Sequence, residues 1–217
     1  EKEQVSGDFH MGYEDQSMLC VDFDKLKAEL PVQTWTPLGS RIDDLRQIKT
    51  EEELECLARA EEIGDKAFAG FLKIVKPGMT ELEAAAELEY LMKKEGAEDL
   101  SFNTIIASGL NSSMPHAIPG YKKLEEGDFV TCDFGCKYKG YCSDMTRTFV
   151  LGKASDKQKE IYNIVLKAQL AGLAAVKAGV SGASVDKVAR DIITEAGYGE
   201  YFGHGLGHSV GLFIHES

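Results

Sequence analysis

Two aspartates sit inside a pair of otherwise apolar, strand-like runs between Asp128 and Val150, and they restrict what this stretch can become. Phe129, Val130 and Cys132 lead up to Gly135; Tyr141, Met145, Thr146, Thr148, Phe149 and Val150 lead away from it. Aromatic and β-branched residues around a short turn of Lys137, Tyr138, Lys139 and Gly140 predict a β-hairpin. With Tyr138 and Lys139 as the two turn residues, Asp133 faces Asp144 directly. The Cβ atoms of such a pair lie about 4.5–5.5 Å apart, and like charges at that distance repel. A shared proton, a basic side chain or a divalent metal must neutralise them; a metal takes oxygen from both and deprotonates them as it binds. Cys132 points to the opposite face of its strand and is expected in the core.

Aspartates near strand ends are often solvated turn formers. The far end of the chain argues for more. It reads Gly203-His204-Gly205-Leu206-Gly207-His208-Ser209-Val210-Gly211-Leu212-Phe213-Ile214-His215-Glu216. Three of the five histidines fall within twelve residues there, among glycines that allow close backbone approach. A fourth, His116, stands in Met114-Pro115-His116-Ala117, shortly before the hairpin. Imidazole together with carboxylate suits zinc, manganese, iron or cobalt.

Asp-Phe-Gly at Asp133, a second aspartate eleven residues on in Ser-Asp-Met-Thr-Arg-Thr-Phe, then His-Gly-Leu-Gly-His and His-Glu form an ordered set. This set resembles the pita-bread metallopeptidases: aminopeptidase P, prolidase, methionine aminopeptidase and the related creatinase. The resemblance covers roughly residues 40 to 217. It implies an α+β pita-bread fold with an internal pseudo-twofold repeat, incomplete at the C-terminus. It implies Asp133, Asp144 and His208 as metal ligands, and His116, His204 and His215 as histidines that contact substrate or support the ligands. The family holds two divalent ions with two Asp, one His and two Glu; manganese is expected, with cobalt or zinc as options. Both glutamates lie beyond the His-Glu motif in the family, and Glu216 matches neither. The 217-residue polypeptide is therefore expected to be cut at both ends, to hold metal weakly or not at all, and to be inactive by itself.

A net charge of −12 argues against nucleic acid or an anionic membrane as partner. No apolar run is long enough to span a bilayer. An odd set of five cysteines without framework spacing favours free thiols in a reducing, cytoplasmic setting. The spacing of Cys132, Cys136 and Cys142 misses the usual structural zinc patterns.

Residues 1–39 are expected to be the last part of a creatinase-like N-terminal domain plus a linker, and residues 40–217 a partial pita-bread catalytic domain. Met18–Phe23 is expected as a strand, Phe23–Leu30 as a helix stopped by Pro31, and 32–40 as extended. Thr50–Glu53, Thr80–Glu83 and Ser155–Gln158 are capping boxes that open helices. Ala60, Ile63, Ala67, Phe68, Phe71, Leu72 and Val75 form the apolar stripe of the first, which Pro77-Gly78 ends. Leu82, Ala85, Ala86 and Leu91 face inward from the second, stopped at Gly96. Ile161, Ile164, Val165 and Ala168 form the stripe of the third, ending at Gly179, and Ser184 opens a fourth. Phe102–Ala107 is strand-like. Adding 101 to residues 63–96 finds eight identities over 34 ungapped positions, among them Ile63/Ile164, Val75/Val176, Gly78/Gly179 and Gly96/Gly197. An internal duplication is expected, and it predicts a second hairpin opposite the first, C-terminal to this sequence.

The expected function is a metal-dependent aminopeptidase that cleaves the N-terminal Xaa-Pro bond through a hydroxide shared by two metal ions. The resemblance implies a peptide with proline in second position as substrate, and a homodimer. Prolidase and creatinase-like hydrolysis remain open, as does a catalytically inactive binding module.

Overall fold

The computed structural model describes residues 9–216; the first eight residues of the expected N-terminal segment, and Ser217, lie outside the described residues. Its contacts divide the chain into two compact units, with the boundary between Ile48 and Lys49.

In the first unit, β1 (Phe9–Tyr13) pairs in parallel with β2 (Val32–Pro37). Parallel neighbours need a crossover, and α1 (Cys20–Glu29) supplies it. Tyr13 stacks on Phe23 at 4.2 Å, and Trp35 meets Phe23 edge-on at 5.3 Å. The strand expected at Met18–Phe23 is instead the start of α1, whose Phe23 anchors this aromatic cluster. α2 (Arg41–Asp44) follows as a single turn.

The second unit opens with α3 (Glu51–Phe71) and α4 (Glu81–Lys94). Both capping boxes form as expected: Thr50 and Thr80 accept from the backbone of Glu53 and Glu83, whose carboxylates accept from the Thr50 and Thr80 N–H groups. Such a cap contributes about 1 kcal/mol. Ala60, Ile63, Ala67 and Phe71 are buried as expected, but Leu72 is exposed because α3 ends one residue earlier, well short of Pro77. On α4 the buried face is Glu81, Ala84, Ala85, Leu88 and Met92; Leu82 and Ala86 point to solvent.

The short β3 (Asp99–Leu100) and β4 (Ile105–Ser108) come next, then β5 (Phe129–Phe134), β6 (Cys136–Tyr138), β7 (Tyr141–Cys142) and β8 (Met145–Val150). They form two antiparallel three-stranded sheets, ordered β4-β5-β8 and β3-β6-β7. Val130, Cys132 and Phe134 of β5 face the core, packed with Ile63, Phe71, Leu88 and Met92. Each such fully buried apolar side chain contributes about 1.5–3 kcal/mol.

α5 (Asp156–Ala175) and α6 (Gly182–Glu195) are the last α-helices among the described residues. Ser155 forms the expected box with Gln158. The cap of α6 is Ser181, which accepts from the Ser184 N–H, so Ser184 lies inside the first turn. The 101-residue offset carries Thr80 onto Ser181, and it carries both ends of α4 onto both ends of α6. Gly96 and Gly197 end the two helices with the same pair of backbone bonds: Ala97 N–H to Met92 and Gly96 N–H to Lys93, then Tyr198 N–H to Ile193 and Gly197 N–H to Thr194. Two bonds of this kind are the Schellman pattern, with glycine at positive φ. The second helix of the duplicated pair is thus repeated down to its C-terminal cap.

The hairpin register differs from expectation. Tyr138 pairs with Tyr141, so the turn is Lys139-Gly140, with φ of 48° and 84°. A two-residue turn that matches strand twist needs positive φ at both positions, and Gly140 adopts it freely where Tyr138 would be strained. Asp133 accordingly faces Thr146, and Asp144 lies diagonally, two positions along on the same face. Where β5 passes into β6, Ser143 donates its N–H to the Cys136 carbonyl at 2.8 Å, and its hydroxyl accepts from the Cys136 N–H at 3.0 Å. A Cβ on Gly135 would land inside the Ser143 carbonyl. Gly135→Ala is expected to cost about 2–3 kcal/mol and to lower the thermal midpoint by roughly 4–12 °C. A melting curve within a degree of wild type would show that the crossing can open at little cost.

Candidate metal centre

Burial alternates strictly along β5, leaving Asp133 on the face away from the core. Its Oδ1 is nevertheless covered and has no hydrogen-bond partner. Burial pushes the Asp133 carboxyl above its ordinary range, and the Asp144 charge pushes the same way; Thr146, His208 and His116 favour the ionised form. The two carboxylates therefore feel each other although they are not directly paired, and two of the sequence-derived histidines act on the same group.

Asp144 is held from behind. Its backbone N–H donates to Glu61 Oε1 at 3.2 Å, from the flank of the α3 stripe. Burial, foremost, raises the Glu61 carboxyl above its usual range. In front, His208 Nε2 lies 3.1 Å from Asp144 Oδ2, while His208 Nδ1 lies 3.0 Å from the Ser209 carbonyl. A proton on Nδ1 donates to that carbonyl. Neutral imidazole then turns the Nε2 lone pair toward a carboxylate oxygen, so a proton or a cation has to stand between them.

The loop bearing His208 is tied to the hairpin by β7. Cys142 donates its N–H to the Gly211 carbonyl at 2.8 Å, and its thiol contacts the Leu212 carbonyl at 3.6 Å. Glu216 closes the loop on itself: its N–H donates to Ser209 and its Oε1 accepts from the Phe213 N–H at 3.1 Å. Lys49 pairs with Glu216 at 3.1 Å, and both side chains are at most 10% exposed. Glu216 thus has a structural part in seating His215, whose ring lies 4.2 Å from that of His208.

The structure brings Asp133, Asp144, His208 and His215 to one face, with His116 close enough to act on Asp133. His204 has other surroundings. It meets Phe202 edge-on at 5.1 Å and borders an apolar cavity of about 510 Å³ with Ile161, Ile164, Val165 and Ile193. Glu61 escaped the sequence reading, which weighed Glu216 only as a metal ligand. The signal for Glu61 was a pair of carboxylates, Glu61 and Glu62, flanking the stripe between Ala60 and Ile63; for the structural part of Glu216 the only local signal is its place in the His-Glu motif. Among the described residues, no group of three His, Cys, Asp or Glu side chains gathers tightly enough for one ion. The donors nonetheless fit a divalent cation: two carboxylates, one of them with a covered and unpartnered oxygen, and an imidazole whose free nitrogen points at the second.

Residues 55–217 match the model of metallopeptidase family M24. The chain belongs to that family. Over 193 residues this M24 chain is 46% identical to a Xaa-Pro dipeptidase of Pyrococcus horikoshii, covering 89% of the chain and 55% of that relative. A solved Xaa-Pro dipeptidase from Bacillus anthracis superposes with a TM-score of 0.92 at 48% identity, covering 95% of the chain and 58% of its own. An X-Pro aminopeptidase from Thermotoga maritima superposes with a TM-score of 0.91 at 41% identity, covering 96% and 59%. The chain thus has the α+β pita-bread architecture and spans a little over half the length of the relatives it matches. No helix among the described residues is long and apolar enough to cross a membrane.

A carboxyl whose folded pKa is raised holds its proton more tightly in the folded state. Its contribution is then greatest below the unfolded pKa and is lost as pH rises through the folded one. In metal-stripped protein, Asp133→Asn is therefore expected to raise the thermal midpoint near neutral pH and to leave it unchanged near pH 3. An equal gain at both pH values would mean that ionisation of Asp133 is not what strains the metal-free fold.

Proposed function

We propose that the complete protein carrying this M24 chain is a metal-dependent peptidase that hydrolyses the bond before proline, at the N-terminal end of its substrate. The observation that carries this is the Asp144–His208 contact beside the covered, unpartnered oxygen of Asp133. Asp133, Asp144 and His208 would hold a pair of divalent ions, manganese foremost, with further ligands from outside this sequence. When bound, such ions polarise a carbonyl and make water nucleophilic at neutral pH.

The chain's own residues do the rest. Ser209 and Asp144 fix the His208 ring from its two nitrogens. Glu61 holds the backbone that presents Asp144. His116 and His215, both exposed on this face, donate to the carbonyl oxygen as negative charge develops there. His204, set against Phe202, contacts the residue after the cut.

Two specificities come forward from the relatives' names. A dipeptidase requires a free carboxylate on the proline; an aminopeptidase accepts a longer peptide. The Pyrococcus horikoshii and Bacillus anthracis proteins favour the dipeptidase reading at least as strongly as the Thermotoga maritima protein favours the other. The same reading takes the segment 1–39 as the end of a creatinase-like N-terminal domain with its linker, and places the enzyme in the cytoplasm as a homodimer.

Purified complete protein with manganese is expected to cleave Ala-Pro, Ala-Pro-Ala or both, and the ratio of the two rates decides the specificity. Asp144→Asn is expected to lower kcat/KM more than about a hundredfold, beyond what loss of a supporting contact does. Activity that survives exhaustive chelation, or an Asp144→Asn enzyme as fast as wild type, would remove the metal from the mechanism.

A further inference from the structure

Glu81 is 1% exposed at the first residue of α4, and none of the chemistry above uses it. A charge that deep needs an explanation. Its Oε1 accepts from the Ser108 N–H at 2.8 Å, the Ser108 hydroxyl at 2.9 Å and the Asn111 amide at 3.0 Å. Its Oε2 accepts from the same amide at 3.2 Å and from the Gly120 N–H at 3.4 Å. The backbone repeats the attachment: Glu81 N–H donates to the Lys122 carbonyl at 2.9 Å and Leu82 N–H to Gly120 at 3.0 Å. One carboxylate therefore holds both ends of the loop that leaves β4 at Ser108 and returns at Gly120. Residues 112–119 hang between the anchors, with His116 in their midst.

The charge is balanced through the same contacts. The Ser108 hydroxyl that donates to Glu81 accepts from Lys122 Nζ at 2.9 Å, and Lys122 pairs with Asp128 at 2.8 Å. The loop also starts from the strand beside Asp133, since Ile105 of β4 pairs with Asp133 of β5. His116 is exposed, and its ring makes none of the loop's anchoring contacts. Its position is set by where the loop ends are fixed.

We propose that Glu81 is a positioning residue for His116: its buried carboxylate clamps both ends of the 108–120 loop and so presents His116 to substrate beside Asp133. The functional half of this rests on the Xaa-Pro peptidase reading; the clamp does not. Glutamine at 81 keeps one acceptor for Ser108 but turns its NH2 toward the Asn111 amide and the Gly120 N–H, donor against donor.

The test uses the complete, manganese-loaded protein and two readouts, amide hydrogen exchange and steady-state kinetics on Ala-Pro. Glu81→Gln is expected to quicken exchange across 108–120 more than about tenfold, as a locally destabilised unit does. Exchange in the 129–150 hairpin should stay as in wild type. Its kcat should fall about 10- to 100-fold, the scale of a misplaced catalytic group, with KM changed less than about twofold. Adding Asn111→Asp should restore most of both, because the acceptor and donor are then exchanged. Asn111→Ala, which leaves the carboxylate in place, should show a smaller effect of the same kind. In a His116→Ala background, Glu81→Gln should add no further loss of kcat. Unchanged exchange across 108–120 overturns the clamp. A loosened loop with unchanged kcat, or full additivity with His116→Ala, overturns the positioning role. A wild-type protein without Xaa-Pro activity overturns the functional reading instead, and exchange still decides the clamp.

Discussion

The Ser143 carbonyl occupies the space where residue 135 would carry a side chain, and the carboxylate face depends on that contact. With glycine there, the ladder runs from the Asp133–Thr146 pair to the Tyr138–Tyr141 pair without losing register. The Ser143 side chain completes the hydrogen bonding that the kinked backbone leaves open. Asp133 and Asp144 stay on one face although Asp133 lies within β5 and Asp144 in the break between β7 and β8. Both are partly covered, and neither is paired with a fixed cation of the protein.

The repeated helix pairs make different use of one design. In the first copy Ala60, Ile63 and Gly64 are buried, with Phe134 and Met145 over Gly64. Their counterparts at the 101-residue offset, Ile161, Ile164 and Val165, line the apolar cavity beside His204. The length and C-terminal cap shared by α4 and α6 are local, decided within four residues of each helix end. The coverage differs because it depends on what packs across the helix, which no local rule specifies.

That division also governs how far the amino-acid order could be read. The three capping boxes, the core-facing Cys132 and the nearness of Asp144 to His208 follow from short-range chemistry and from ordered motifs. The expected register gives the turn to Tyr138-Lys139, whereas the turn falls on Lys139-Gly140 because Gly140 tolerates positive φ. Ser184, expected to open α6, lies inside its first turn, and the duplication itself points from Thr80 to the Ser181 cap. The structural parts of Glu81 and Glu216 stay hidden for a different reason. Each is a charged residue with partners elsewhere in the fold: Ser108, Asn111 and Gly120 for one, Lys49 for the other.

The cysteines of the hairpin acquire a use from their placement. Cys132 and Cys136 are free thiols buried in the core beneath the sheet, and Cys142, also free and buried, lies against the loop that carries His208, whereas Cys20 is exposed and Cys56 half-covered. Burial pushes the Cys132 thiol up to about 12 and raises Cys136 as well. Thiolate is the reactive species, so a folded hairpin is chemically silent on its underside. An alkylating reagent reaches these sulfurs only when the strands separate. The protein therefore carries a built-in clock: the rate at which Cys132 and Cys136 become labelled measures how often the scaffold beneath Asp133 and Asp144 comes apart.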